Sequence, residues 1–505
     1  MELKDLFYSW VPPYLRLPSL FILVFVILTA NGVFLGNTID MYSSIGVYSE
    51  SYTQAINALY IGMGLGLIFA GRMKARFSNK ELLMGGLLMM LLLNAVCALT
   101  SSPNLTVAAC LLLGFSKISA LLEVYIVWNF IWSKTGDRSR LYPFVYGVAL
   151  AGLYLITWVT TKLAYDYNWR IAYILVLILI LICILLTLIL VENHPLKKKI
   201  PLYQVDWLGL LKLAAAFMFF DYAVVYLKVE NGLESKKIQG ALLMSIIFLL
   251  LFIRRELMVQ RPFFDVNIFK IKNFRRGLLY FLVLGVFIPS TFQSSFTATI
   301  LQFEAIRNAQ INLYMIPGVV TGSLLCFFWY AKKLDTEPLL FIGFSAFVAH
   351  HIILYNSFAI DFNLYDFILP AIIKGFAMAV LYIAIGLYTT NNLPISISIS
   401  AAGMMILIRS FLGSGTFGGL YNYLLYSERI KHFSYLAGQL EASDQWQKLQ
   451  GGSSIYKNLQ LEAILTASKE LTGWIIITGI MLLCFIALTY FYSLGRLKFN
   501  KINLN

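Results

Sequence analysis

Long apolar runs separated by short polar loops make up most of the 505 residues. Many of these runs exceed about 18 residues, the length an α-helix needs to cross the hydrocarbon core of a bilayer. A membrane β-barrel would instead alternate polar and apolar residues over segments of about ten. The pattern therefore predicts an all-α polytopic membrane protein of about fourteen helices. The predicted spans are Ser19–Gly36, Ala55–Ala70, Leu82–Leu99, Val107–Trp128, a fifth ending near Val159, Ile171–Leu190, Trp207–Leu227, Ala241–Ile253, Leu278–Ile300, Ile311–Tyr330, Leu339–Leu354, Phe367–Tyr388, Ile397–Leu424 and Trp474–Phe491.

Basic residues concentrate in loops that alternate along the chain, and Lys and Arg stay on the cytoplasmic side of a bilayer. Two basic clusters, Lys197–Lys199 and Arg254–Arg276, flank the central pair of apolar runs. That pair must cross and return, so it is predicted to be a hairpin between two blocks of six spans. Both termini are predicted to be cytoplasmic. The predicted domains are a six-helix bundle at 1–196, a linking transmembrane hairpin with basic cytoplasmic flanks at 197–276, and a second six-helix bundle at 277–505 that contains an external loop at 426–469.

Composition supports a membrane protein, because 59% of the residues are hydrophobic and only 13% are charged. The net charge of +14 does not indicate nucleic-acid binding, since the basic residues lie in short loops between spans. The five cysteines fall inside apolar runs and predict neither disulfides nor a metal site. Gly413–Gly418 matches a dinucleotide fingerprint, but it lies within a predicted span and follows no strand. We therefore predict no cofactor, no metal and no ATP hydrolysis.

Five segments carry short motifs: Gly71–Lys80, Trp169-Arg170, Asp206–Gly209, Pro262 and Ala401–Thr416. Together these segments resemble the major facilitator superfamily in its fourteen-span drug:proton antiporter branch (EmrB/QacA-type). The loop Gly71–Lys80 resembles the signature between the second and third spans, although Lys74 stands where the family usually has an aspartate. Trp169-Arg170 resembles the entry to the sixth span, and Asp206–Gly209 resembles the start of the hairpin. Pro262 resembles the exit of the hairpin, and Ala401–Thr416 also resembles the branch.

This resemblance implies a secondary active transporter and not an enzyme. Two six-helix bundles would rock around a midplane cavity and export amphipathic small molecules in exchange for protons, as in multidrug efflux. It also implies a bacterial inner membrane with its lipid as surroundings. Where the source is a double-membrane bacterium, it implies a periplasmic adaptor and an outer-membrane channel as partners.

Ionisable residues deep inside spans are costly, so each one is a functional candidate. Lys117, Lys374 and Arg409 are predicted near the midplane, where three cations would favour an anionic or zwitterionic amphipathic substrate. Gln293 lies in a span whose outer half is rich in hydroxyl groups and is predicted to line a watery cavity. The alternative is that each cation bonds a backbone carbonyl or an acid and locks helices together.

Glu123 is the predicted proton carrier, because a carboxyl in a poorly hydrated cavity titrates nearer to neutrality. The alternative is an ion pair between Glu123 and Lys134 or Arg138. Asp40 is a second candidate for the proton path. Asp221, in the hairpin, is interpreted as structural.

The basic loop between the second and third spans is predicted to act as a cytoplasmic latch. Two other functions stay open: transport of an anionic metabolite or lipid, and a membrane receptor that does not transport. The predicted latch residues are Gly71, Arg72, Lys74, Arg76 and Lys80.

Overall fold

The computed structural model describes residues 6–132, 138–194, 206–259, 263–264, 266–359, 362–390, 393, 395–442 and 452–502. Lys134, the cluster Lys197–Lys199, Arg261 and Pro262 lie outside these ranges.

The described residues form helices joined by short turns, as expected where lipid leaves no other partner for backbone N–H and C=O groups. The helices are α1 Pro13–Thr29, α2 Thr38–Ile45, α3 Ser49–Met73, α4 Asn79–Leu99, α5 Pro103–Trp132, α6 Arg138–Asp166, α7 Trp169–Leu190, α8 Trp207–Val225, α9 Lys236–Met258, α10 Lys272–Phe287, α11 Thr291–Thr299, α12 Ala305–Leu313, α13 Met315–Ala331, α14 Glu337–Ser357, α15 Ile368–Thr390, α16 Ile395–Ile406, a π-helix Leu407–Gly415, α17 Thr416–Ala442 and α18 Gly452–Ile502.

The all-α membrane fold is confirmed. Within the described ranges, twelve helical segments are long and apolar enough to cross a bilayer. Helix α1 is a shorter apolar helix of 17 residues. Helix α9, the second arm of the predicted hairpin, has 23 residues and is not among these twelve segments. The predicted count of about fourteen is therefore approximate.

The segment predicted as a loop at 426–469 is helical wherever it is described. It belongs to α17, of 27 residues, and to α18, of 51 residues. Its polar residues form contacts on helix surfaces, such as the ion pair of 2.6 Å between Lys431 and Glu428 one turn apart. A polar surface on two packed helices has the same composition as a loop, which explains the wrong expectation.

The chain divides into two compact units. The first comprises Met1–Val286 and Gly386–Leu420, and the second comprises Phe287–Ile385 and Tyr421–Asn505. The predicted division into two bundles and a linking hairpin stays a prediction.

In the first unit, the backbones of α3 and α5 touch through glycines. A Cβ on Gly62 would clash with the carbonyl oxygen of Leu111, and a Cβ on Gly114 would clash with that of Leu59. Small residues at helix contacts allow this approach in membranes, where van der Waals packing replaces the hydrophobic effect.

The second unit repeats this contact between α13 and α15. A Cβ on Gly318 would clash with the carbonyl oxygen of Ile372, and a Cβ on Gly375 would clash with that of Met315. Gly318 therefore corresponds to Gly62, and Gly375 to Gly114. Helices α3 and α5 thus pair in the same register as α13 and α15, which is an internal repeat of the kind that membrane proteins with duplicated halves contain.

We predict that Gly114→Ala lowers stability by about 1–3 kcal/mol, because the added methyl group must push α5 away from α3. The measurement is the thermal midpoint of the purified protein in detergent. Gly85→Ala on α4 is the control, since a Cβ there meets no described atom within 4 Å. Equal midpoints for the two variants would contradict the tight contact.

Candidate functional site

The first span is broken. Helix α1 ends at Thr29 and helical structure resumes at Leu35, so residues 30–34 are not helical. Our prediction of one continuous span over Ser19–Gly36 is wrong at this point. Gly32 adopts φ 72°, a left-handed conformation that favours glycine. The Asn31-Gly32 pair is a common turn signal, and its apolar flanks hid it.

A buried lysine from α5 holds the broken segment. The Nζ atom of Lys117 donates to the carbonyl oxygen of Leu28 at 2.8 Å and to that of Ala30 at 3.5 Å. It also donates to the side-chain oxygen of Asn31. Carbonyl groups freed at a helix end carry partial negative charge, so a cation is favoured there.

Two more helices complete the support. The hydroxyl of Tyr173 on α7 donates to the carbonyl oxygen of Gly32 at 2.6 Å. The side-chain oxygen of Asn94 on α4 accepts from the N–H of Gly32 at 3.2 Å. Sequence reasoning missed Asn94 and Tyr173, although a lone asparagine in the apolar run of α4 was an available signal.

The Lys117 side chain is buried, with 2% of the residue exposed. Its hydrogen bonds within the described structure go to neutral oxygens. A cavity of about 20 Å³ is lined by Asn31, Tyr60 and Thr157, among others. That is room for about one water molecule. This geometry corresponds to the helix-locking interpretation of Lys117, and direct contact with substrate stays a prediction.

The second unit contains a similar break. Helix α10 ends at Phe287 and α11 begins at Thr291, so our continuous span over Leu278–Ile300 is also interrupted. Pro289 explains this break, because proline cannot donate a helical hydrogen bond. The Nζ atom of Lys374 on α15 donates to the hydroxyl of Ser290 at 2.7 Å, and the residue is 3% exposed.

The two lysines are related by the repeat but are not equivalent. Lys117 follows Gly114 by three residues, whereas Lys374 directly precedes the corresponding Gly375. The two positions therefore differ by about one helical turn. In each unit, a buried lysine hydrogen-bonds a residue next to a helix break: Lys117 bonds Leu28, Ala30 and Asn31, and Lys374 bonds the hydroxyl of Ser290.

Gln293 is half-buried on α11, directly after this break. Neighbouring hydroxyl groups bond locally: Ser294 donates to the carbonyl oxygen of Thr291, and Thr297 donates to the carbonyl oxygen of Ser294, both at 3.1 Å. Such back-bonding satisfies hydroxyl groups without water. The watery cavity at Gln293 stays a prediction.

Arg409 lies in the π-helix of the first unit. Its Nη1 atom donates to the hydroxyl of Tyr146 at 3.0 Å, and its guanidinium lies 5.4 Å from the centre of that ring. Close packing surrounds it, since a Cβ on Gly285 would clash with the backbone of Gly413. Departures from α-helical to π-helical geometry are frequent at functional sites, and a substrate role for Arg409 stays a prediction.

The basic loop is tied to α5 by an ion pair. The Nζ atom of Lys74 lies 3.1 and 3.0 Å from the two carboxylate oxygens of Glu123. The described partner of Glu123 is therefore Lys74 and not Arg138, and Lys134 lies outside the described residues. The loop thus presents a cation to an acid on α5, where the family's usual loop would present an aspartate.

The rest of the loop is anchored within the same unit. Lys80 donates to the carbonyl oxygen of Leu188 at 3.0 Å and lies 5.3 Å from the centre of the Tyr8 ring. Arg76 and Lys80 line a groove of about 530 Å³. Arg72 is half-buried, and Ile399 lies 3.6 Å from where a Cβ of Gly71 would stand. The latch role stays a prediction.

Asp40 lies in the first turn of α2, outside the membrane-spanning helices. Burial raises the pKa of its carboxyl above the usual range. A carboxyl in such a place holds a proton more readily than a solvated one. Its part in a proton path stays a prediction.

A family model described as Major Facilitator Superfamily matches residues 20–418. The chain belongs to the Major Facilitator Superfamily. Membership indicates a secondary transporter and not an enzyme.

Among curated relatives, the colistin resistance protein EmrB of Acinetobacter baumannii is 21% identical over 220 residues. That match covers 42% of this chain and 41% of the relative. The chain therefore matches less than half of the relative's length.

Solved transporter structures share the fold. A mutant form of the nucleoside transporter NupG aligns with a TM-score of 0.54 at 15% identity, covering 91% of this chain and 98% of that one. A POT family transporter in complex with 5-aminolevulinic acid gives 0.55 at 10% identity, covering 92% and 96%. The human organic anion transporter MFSD10 gives 0.51 at 13% identity, covering 94% and 100%.

We predict that Lys74→Glu lowers the thermal midpoint by about 4 °C or more, because it places two carboxylates against each other. The double variant Lys74→Glu with Glu123→Lys restores the pair in reverse and recovers at least about half of the loss. Lys332→Glu, an exposed lysine in another loop, is the control for a change of two charge units. If the double variant falls below both single variants, Lys74 and Glu123 do not form a stabilising pair.

Proposed function

We propose that this Major Facilitator protein exports amphipathic small molecules in exchange for protons, by alternating access of two helical bundles. Its similarity to a colistin resistance protein supports an efflux role. A periplasmic adaptor and an outer-membrane channel remain proposed partners for a source with two membranes.

The observation that carries this proposal is the pair of helix breaks, at residues 30–34 and 288–290, each contacted by a buried lysine. A break in a transmembrane helix lets its two halves tilt separately, and transporters place such breaks at the midplane where substrate binds. Lys117 and Lys374 bring positive charge to these points. An amphipathic molecule with a negative group would compete with carbonyl and hydroxyl oxygens for these ammonium groups.

Glu123 is the proposed site of coupling to protons. Glu123 is 3% exposed, and both of its carboxylate oxygens face Lys74. Protonation of Glu123 would remove the charge that holds Lys74 and would release the loop from α5. Loss of the proton would restore the pair and close the loop again.

A second candidate is transport of an anionic metabolite or lipid. It is favoured because the described hydrogen bonds of Lys117 and Lys374 go to neutral oxygens, which leaves positive charge in the membrane without a carboxylate. A receptor that does not transport is the third candidate.

Flux into proteoliposomes under an imposed pH gradient separates these candidates. The panel contains cationic, zwitterionic and anionic amphiphiles, with and without the gradient. Proton-driven movement of amphiphiles supports the export proposal, and movement of anions alone supports the second candidate. A protein that moves none of them while it binds one with measurable affinity is the receptor.

We predict that Glu123→Gln reduces flux driven by the pH gradient at least about tenfold, because an amide cannot exchange a proton. Movement of substrate down its own gradient should persist. Glu462→Gln, an exposed carboxylate on α18, is the control. An unchanged pH dependence in Glu123→Gln removes this residue from the coupling mechanism.

A further inference from the structure

The contacts of Lys117 resemble the coordination of a bound cation as well as a contact that joins helices. The oxygens of Leu28, Ala30 and Asn31 converge on one nitrogen atom, with the two backbone distances at 2.8 and 3.5 Å. We name these three oxygens the carbonyl cage. Two belong to the backbone around the end of α1, and the third belongs to an amide side chain.

Three oxygens arranged in this way can bind either the ammonium group of a lysine or a free monovalent cation. Neutral carbonyl oxygens arranged around one point replace the water shell of an ion in membrane proteins. The C-terminal end of α1 adds the negative end of the helix dipole. Within the described structure, no carboxylate is hydrogen-bonded to the ammonium, so the attraction comes from the oxygen dipoles.

We propose that the carbonyl cage is a binding site for a monovalent cation and that Lys117 fills it with its own ammonium group. The side chain then acts as a tethered ion, and its charge depends on one proton. With the proton bound, the cage is filled and residues 30–34 are held. With the proton lost, three oxygens lose their cation and the segment is released.

The link to transport rests on the proposed function, because it makes Lys117 a second carrier of the coupling proton beside Glu123. Titratable groups around the segment in the described structure include Tyr52, Tyr60, Cys97, Cys110 and Tyr173. All five are neutral in their ordinary state at pH 7, and the cations Arg170 and Arg409 lie near Tyr52 and Tyr60, respectively. The cation site itself does not depend on transport.

Chemical rescue tests the proposal. Lys117→Ala empties the cage and leaves space for a free ion, and its thermal midpoint is measured in choline, sodium or ammonium chloride at one ionic strength. We expect the midpoint to fall in choline and to rise by about 2 °C or more in sodium or ammonium, since an ion that binds only the folded state stabilises it. The wild-type protein should give one midpoint in all three salts.

Two variants serve as controls. Lys374→Ala removes a lysine of similar burial whose described partner is the single hydroxyl of Ser290, and it should show no such rescue. Lys117→Met fills the space without charge and should be unstable in every salt. Equal midpoints for Lys117→Ala in the three salts, or the same rescue in Lys374→Ala, would overturn the proposal.

Lys117→Ala need not survive purification for the test to decide. Membranes that contain the variant fused to a fluorescent protein are solubilised in each salt, and the monodisperse fraction is measured by size-exclusion chromatography. A larger fraction in sodium or ammonium than in choline supports the cage, and equal fractions refute it. Neither readout requires flux, so a failure of the export proposal is recognised separately.

Discussion

A backbone carbonyl oxygen inside a bilayer must accept a hydrogen bond from the protein itself, because the lipid tails contain no donor. A polar group buried without a partner costs several kcal/mol, and a helix break exposes several at once. The break at residues 30–34 is therefore possible only because α4, α5 and α7 deliver Asn94, Lys117 and Tyr173 to the freed groups.

The glycine contacts place α5 close enough for Lys117 to reach the break at residues 30–34. Gly62 and Gly114 bring the backbones of α3 and α5 together, and Lys117 lies one turn beyond Gly114 on the same helix. A larger residue at Gly114 would move α5 and with it the ammonium group. The second unit repeats this arrangement through Gly318 and Gly375, with Lys374 beside the latter. Each unit thus contains the same combination: a helix pair in close contact through glycines and a buried lysine beside a helix break.

The sequence predicted the all-α fold, the approximate spans and the presence of Lys117 and Lys374 within long apolar helices, because these follow from hydropathy and the length of a helix. It did not predict the breaks, since Asn31-Gly32 and Pro289 lie in runs whose average hydropathy stays high. The partner of Glu123 was also missed. Lys74 is 49 residues distant along the chain and becomes a neighbour only when α3 packs on α5. Contacts between helices depend on rotation and register, and a single sequence constrains both weakly.

Helix α18 is longer than a membrane span requires. Its 51 residues correspond to roughly 75 Å at 1.5 Å per residue, against about 30 Å of hydrocarbon. It contains no proline, and its polar part is joined to α17 by the contact of 2.8 Å between Glu470 and His432. Such a rod conveys displacement along its axis with little loss. A protein that binds the polar part of α17 and α18 would therefore act on the apolar part of α18 through one continuous helix.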